Sequence, residues 1–228
     1  MSILVCGDVH GKVEIMHSLY QLAVEPDITQ IVFVGDFVDG YGTSVEDEIE
    51  CMNLALDLSE RGLATLIYGN HELSYLNPRM RCSRYRLQMQ YYFDANRPRI
   101  EKEFVQYAYV EDFLVTHAGL SSNHLKDVGA QSVEDYLNNY TYHFLDIGVA
   151  RGGLERSGGI FWNDSKYEFS PIDGQKQVFG HTRTPLIVDM DNDNYCIDCL
   201  HETPSVLEIY QQNETVKVKT RTIGESSD

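Results

Sequence analysis

The chain has 228 residues, 43% hydrophobic and 23% charged, which suits one large globular domain with its own core. Its 35 acidic and 18 basic residues leave a net charge of −17. That disfavours a nucleic-acid backbone as partner, where affinity comes from Lys and Arg neutralising phosphates. No run approaches the roughly 20 apolar residues that span a bilayer. No basic-then-apolar leader opens the chain, so a cytoplasmic protein with no membrane partner is expected.

In chain order, residues 3–6 (ILVC) read as a buried strand that stops at Gly7, with Asp8 and His10 on the loop beyond it. Residues 13–23 carry apolar side chains at three- and four-residue spacing, a helical pattern. A strand follows at 30–35, then a helix over 45–62 with Gly62 placed as its stop, then a strand at 64–69. Strand, helix, strand, helix, strand is the order of parallel β-α-β units. The segment NPRMRCSRYR (77–86) holds four arginines and reads either as a solvated helical face or as an anion-binding stretch. Beyond residue 100 two strands join at Glu111-Asp112, the second entering residues 113–119, and another run spans 177–181. Hairpins are expected with turns near Asp191-Asn192 and Asn213-Glu214, so the last third reads as antiparallel β. The acids of DMDNDN (189–194) belong to a turn, because the Gly and distal Glu of a calcium loop are absent. A single domain covers 1–228, with 221–228 expected as a flexible tail.

The five cysteines fit reduced thiols. Cys196 and Cys199 form a lone C-x-x-C without the second pair a four-thiolate zinc site needs. His17, His124, His143 and His201 have no motif around them and read as surface or packed residues; Trp162 reads equally as core or as site.

Four strand-like runs end in Gly followed by a metal-competent residue: Gly7-Asp8, Gly35-Asp36, Gly69-Asn70 and Gly180-His181. A fifth ends at His117. Loops beyond the carboxyl ends of strands converge in open α/β sheets, so these residues can share one site. Asp8, His10, Asp36, Asn70, His117 and His181 form an oxygen and nitrogen set without thiolate, suited to Mn, Fe, Zn or similar ions. Six groups exceed what one ion with an open position uses, and they suit two ions about 3.5–4 Å apart, the arrangement of phosphoryl transfer.

GDVHG (7–11), GDFVDG (35–40), GNHE (69–72), HAGL (117–120) and GHT (180–182) together resemble the calcineurin-like metallophosphoesterases. The phosphoprotein-phosphatase branch is the nearest pattern, in a compact bacterial or phage-type form, as a serine/threonine phosphatase or a dinucleoside-tetraphosphatase. The resemblance implies an α/β fold, a four-layer αββα β-sandwich with a dinuclear metal site at the sheet-edge loops. It implies that Asp8 and His10 hold the first metal, Asp36 bridges, and Asn70, His117 and His181 complete the second. The ions would be Mn2+ first, with Fe, Zn or Ni as alternatives, and a hydroxide between them would attack the phosphorus. His71 would be the general acid, and Asp39 would orient its imidazole.

One departure stands out. The family's phosphate-binding Arg is missing at Gly40. Arg81 and Arg84 are the first substitutes, with Arg183, Arg151 and Arg156 as alternatives. The resemblance implies a dinuclear metallophosphatase acting on phosphate monoesters, with a phosphorylated protein or a small phosphorylated or nucleotide molecule as substrate. The alternatives are a phosphodiesterase or dinucleoside-polyphosphate hydrolase, and a catalytically silent metal-binding scaffold.

Overall fold

The computed structural model describes residues 1–139 and 145–224. His143 and residues 225–228 lie outside them.

β1 (Ser2–Cys6), β2 (Ile28–Phe33) and β3 (Ala64–Ile67) alternate with α1 (Val13–Ala23) and α2 (Val45–Glu60) as parallel β-α-β units. α2 starts at a capping box, in which Ser44 Oγ accepts from the Asp47 amide at 3.0 Å and the Asp47 carboxylate accepts back from the Ser44 amide at 3.3 Å. It ends at Glu60, two residues before Gly62, whose φ is +72°. α3 (Asn70–Leu76) opens with Asn70 immediately after β3, and α4 (Leu87–Glu103) leads into β4 (Phe104–Val105). The arginine segment at 77–86 is irregular chain between these two helices and not a helical face. Pro78, together with the turns about Arg79 and Arg84, keeps it from continuing α3.

The second half supplies β5 (Ala108–Val110), β6 (Phe113–Val115), α5 (Ser122–Val128), α6 (Val133–Asn139), β7 (Lys176–Phe179), β8 (Val188–Asp189), β9 (Asn194–Cys196), β10 (Ser205–Gln212) and β11 (Thr215–Thr222). All three expected turns are present, and Glu111, Asp191, Asn192, Asn213 and Glu214 take the positive φ that tight turns demand. The expectation of antiparallel β across the last third is corrected, since β7 and β9 pair parallel there. β6, β7 and β9 run parallel in the second sheet, order β5-β6-β7-β9-β8. The β10–β11 hairpin returns to the first sheet, order β11-β10-β1-β2-β3-β4. β11 also claims residues 221 and 222, which the sequence assigned to the tail.

The pleat of β1 and β2 explains the layers. Leu4, Cys6, Ile31 and Phe33 face α1, α2 and α4 in one core. Val5 and Val32 face the second sheet, meeting Val115, Val178 and Ile197. Leu114, on the opposite side of β6, packs with residues of α5 and α6. Helices, sheet, sheet, helices is the four-layer order. It leaves the carboxyl ends of β1, β2, β3, β6 and β7 at one edge. No helix of the described residues is long and apolar enough to cross a membrane.

Candidate metal centre

The strand-end loops bring Asp8, His10, Asp36, Asn70, His71, His117 and His181 together. All are buried except His181, which is partly so. The Asp36 carboxylate is the hub. Its Oδ2 lies 3.6 Å from His10 Nε2, 3.9 Å from His71 Nε2 and 3.5 Å from His117 Nε2. Asp8 Oδ2 is 4.0 Å from His10 Nε2, and the Asp8 carboxylate accepts from the His181 amide at 3.1 Å. Among the described residues, two groups have donor atoms close enough to hold an ion: His10, Asp36 and His71, and Asp36, His117 and His181.

The loops carry backbone strain to reach this arrangement. His10, Asp36, Asp39 and His181 all have φ between 46° and 66°, a region that non-glycine residues seldom occupy. Gly180 is required by close approach, since a Cβ there would sit 2.1 Å from Asp8 Oδ1.

Tautomers are fixed by the scaffold. Nδ1 of His10 lies 2.8 Å from the Val38 carbonyl oxygen, and Nδ1 of His117 lies 2.8 Å from that of Val34. Each ring therefore donates through Nδ1 and turns an unprotonated Nε2 inward. Burial pushes His117 down to about 3 and His10 well below the usual imidazole range, so both stay neutral. Burial also lifts Asp36 to about 7, and it lifts Asp8, helped by the charges of Asp198 and Asp36.

These contacts test whether the residues fit a cation. His117 Nε2 is an acceptor, yet it lies 2.8 Å from Asn70 Oδ1, also an acceptor. The Asn70 amide cannot simply turn over, because Nδ2 donates to Cys82 Sγ at 3.1 Å. His181 Nδ1 is 3.0 Å from the same His117 nitrogen. The His117 and Asn70 lone pairs facing each other beside a buried carboxylate are repulsive without a positive charge between them, whereas the His181 contact is a hydrogen bond in the tautomer protonated on Nδ1. The donor set fits divalent metal.

His71 stands apart from this crowding. Its Nδ1 is 2.8 Å from Asp39 Oδ2, and Tyr75 donates its hydroxyl to the other Asp39 oxygen. Burial opposes the imidazolium, but Asp36 and Asp39 outweigh it and raise His71 above its ordinary pKa.

Around the centre lies a cavity of about 720 Å3 lined by Arg81, Arg84, Arg151, Lys166, Trp162, Tyr167 and Arg183 among others. Arg81, Arg84 and Arg183 are thus all at the cavity. Arg81 spends one guanidinium nitrogen on the carbonyls of Ser74, Asn77 and Met80, and the group lies 4.6 Å over the Tyr85 ring. Arg151 is braced with its Nε 3.0 Å from Asp164 Oδ2 and an NH2 group donating to Thr182 Oγ1 at 3.0 Å. Arg156 reaches Asp127 instead and is not a lining residue. Gly40 has no room for the missing Arg: a Cβ would meet the His10 carbonyl oxygen at 2.0 Å. Arg86 donates to the Gly40 carbonyl at 3.1 Å and to that of Thr43 at 2.9 Å.

Other readings are settled more simply. His17 pairs with Glu50 at the surface, and His124 is buried against the Ser157 carbonyl and Asp146. Trp162 belongs to both readings, buried in a core cluster and 5.9 Å, ring to ring, from His181. All five cysteines are free and buried, and burial raises Cys196 to about 12 and Cys199 to about 11.

Sequence reasoning gave Glu72 and Asp198 no role. Glu72 accepts from the amides of Asp36 and Phe37, each at 2.8 Å, and of Gly69 at 3.0 Å, fixing the β2 and β3 loops to each other. It lies inside the GNHE motif. Asp198 lines the cavity just beyond β9, so the same strand-end rule that found Asp8 applies to it.

The calcineurin-like phosphoesterase family model matches residues 1–210. The chain is 35% identical over 74 residues to serine/threonine-protein phosphatase 2B catalytic subunit A2 of Saccharomyces cerevisiae, a stretch covering 32% of this chain and 12% of that one. The fold is similar to that of a Saccharomyces cerevisiae protein serine/threonine phosphatase with similarity to human phosphatase PP5 (TM-score 0.60, 17% identity, 100% of this chain and 82% of that one). It is also similar to that of a putative diadenosine tetraphosphatase (TM-score 0.52, 15% identity, 96% and 93% of the two chains). With the family model matched across nearly its whole length and the metal-competent residues gathered at the sheet edge, this chain belongs to the calcineurin-like phosphoesterase family.

Proposed function

We propose that the protein is a dinuclear metallophosphatase that hydrolyses phosphate monoesters, with His71 as general acid and Asp39 as its positioning residue. Asp8, His10, Asp36, Asn70, His117 and His181 would hold two divalent cations, Mn2+ first among them. When bound, such ions supply Lewis acidity and lower the pKa of water. The side chains supply the rest. Arg151, held by Asp164 and Thr182 at the cavity wall, presents its guanidinium to phosphate oxygens, and Arg84 and Arg183 add positive charge along the lining. His71 presents Nε2 towards the centre while Asp39 keeps the proton on Nδ1. The imidazolium can then give its Nε2 proton to the departing oxygen. The substrate would be a phosphorylated protein or a small phosphorylated molecule in the cytoplasm, a setting consistent with five reduced thiols.

The observation that carries this reading is the His71–Asp39–Tyr75 chain, which leaves one His71 nitrogen facing the metal centre and ties the other away from it. In Mn2+-supplemented assays on p-nitrophenyl phosphate, His71→Ala is expected to lower kcat by about 100-fold or more while metal content is retained. Asp39→Asn is expected to lower kcat with little change in KM, and to add almost nothing in the His71→Ala background. Wild-type-like turnover by His71→Ala would end this assignment.

A further inference from the structure

Arg151 reaches the cavity from a single 3-10 turn, Val149–Arg151, in the long connection between α6 and β7. One turn cannot hold itself. It fixes several backbone angles for one or two hydrogen bonds, and its first N–H groups have no partner inside it. Here the Val149 amide donates to the Glu155 carbonyl at 2.8 Å, and the Ala150 amide donates to Glu168 Oε1 at 3.0 Å.

The same buried carboxylate reaches further. Glu168 Oε2 accepts from the Gly158 amide at 2.9 Å and from the Asp164 amide at 3.2 Å. Asp164 is the residue whose Oδ2 lies 3.0 Å from Arg151 Nε. One side chain therefore grips both the turn that carries the arginine and the residue that pairs with it. The grip on Asp164 runs both ways, because the Glu168 amide donates to the Asp164 carbonyl at 2.8 Å. Glu168 is itself moored to the start of α5, where Ser121 Oγ donates to its carbonyl at 2.9 Å. Gly148 makes room for the carboxylate: a Cβ there would lie 2.3 Å from Glu168 Oε1.

These bonds leave the guanidinium little freedom. Nε faces Asp164, and NH2 donates to Thr182 Oγ1 at 3.0 Å. NH1 makes no hydrogen bond or ion pair among the described residues, so it is the group left to meet an anion. Glu168 does not line the cavity, and any effect it has on a bound anion passes through Arg151.

We infer that Glu168 is the positioning residue of the phosphate-binding arginine, holding Arg151 through Ala150 on one side and Asp164 on the other. This rests on the proposed role of Arg151 and assigns what sets its place. A carboxylate with three backbone donors also stabilises the fold, so a lowered Tm alone does not separate the two roles. Dependence on Arg151 does.

The test is calorimetric titration of the Mn2+-loaded protein with inorganic phosphate, which needs no turnover. Arg151→Ala is expected to weaken phosphate binding about tenfold or more. Glu168→Gln keeps the volume but turns one acceptor oxygen into a donor, so one arm is lost whichever way the amide faces. It should weaken phosphate several-fold with the Mn2+ content unchanged. In the Arg151→Ala background the same change should leave phosphate affinity where it was, while still lowering Tm. Gly148→Ala, whose added Cβ displaces the carboxylate without removing it, should reproduce the loss. Wild-type phosphate affinity in Glu168→Gln at a lowered Tm overturns the inference, as does an equal loss with Arg151 already removed. Unchanged affinity in Arg151→Ala overturns it too. Failure of the wild type to hydrolyse any phosphate ester would end the proposed activity instead, and the phosphate titrations would still decide the role of Glu168.

Discussion

Glu72 shows how a side chain that touches no substrate can decide the geometry of the centre. Its carboxylate accepts three backbone N–H groups, from Asp36, Phe37 and Gly69, and it is fully buried. These bonds hold Asp36 in its left-handed conformation and keep Gly69 against it, so the hub carboxylate is fixed before anything binds. Glu72→Ala would leave three buried donors without partners, and each unsatisfied group costs about 1–3 kcal/mol. A loss of about 3 kcal/mol or more is expected in urea unfolding, together with weakened Mn2+ binding. A variant as stable as the wild type would show that the loops are held by other contacts. Cys82 acts in a similar manner on one residue: it accepts from the Asn70 amide and donates to the Asn70 carbonyl, so Oδ1 is turned towards His117.

At the scale of elements, the loop after β2 explains why this chain carries no arginine at position 40. Gly40 lies against the His10 carbonyl and the Thr43 hydroxyl, and its own N–H and carbonyl are taken by Glu48 and Arg86. The buried Glu48 carboxylate also accepts from Thr43 and lies 3.4 Å from Arg86, so the loop is stitched to α2. Gly40→Ala is expected to destabilise by about 1–3 kcal/mol through overpacking, seen as a lowered Tm. Gly40→Arg should do the same without raising activity. A gain in kcat/KM from Gly40→Arg would mean that the cavity cations do not replace the missing group.

The same scale shows what the sequence made legible. The strand-end glycines and the acids and histidines after them marked residues that the fold gathers at one edge, because apolar runs and sharp turns are local properties. β6, β7 and β9 were harder. Apolar runs of three or four residues do not state the direction of their partner, and β6 and β7 pair parallel although about sixty residues separate them. α4 was missed for a different reason. It buries only Met89, Phe93 and Ile100 and has Pro98 inside it, so its helical period is faint. Arg151 was one candidate among several in the sequence, and only the fold sets it beside Asp164 and Thr182 at the cavity.

Across the whole molecule, two sheets face each other over one apolar layer and present five strand ends at one edge. Into that edge the chain gathers carboxylates whose protons burial would retain and imidazoles that burial keeps neutral. On the proposed function, this edge holds two divalent cations. Direct metal analysis of the purified chain after chelation and reloading with Mn2+ tests it most plainly. The expected result is two ions per chain, with hydrolysis of p-nitrophenyl phosphate lost on chelation and restored on reloading, and with both ions weakened in Asp36→Ala. A chain that retains no ion, or one whose hydrolysis is indifferent to chelation, would contradict it.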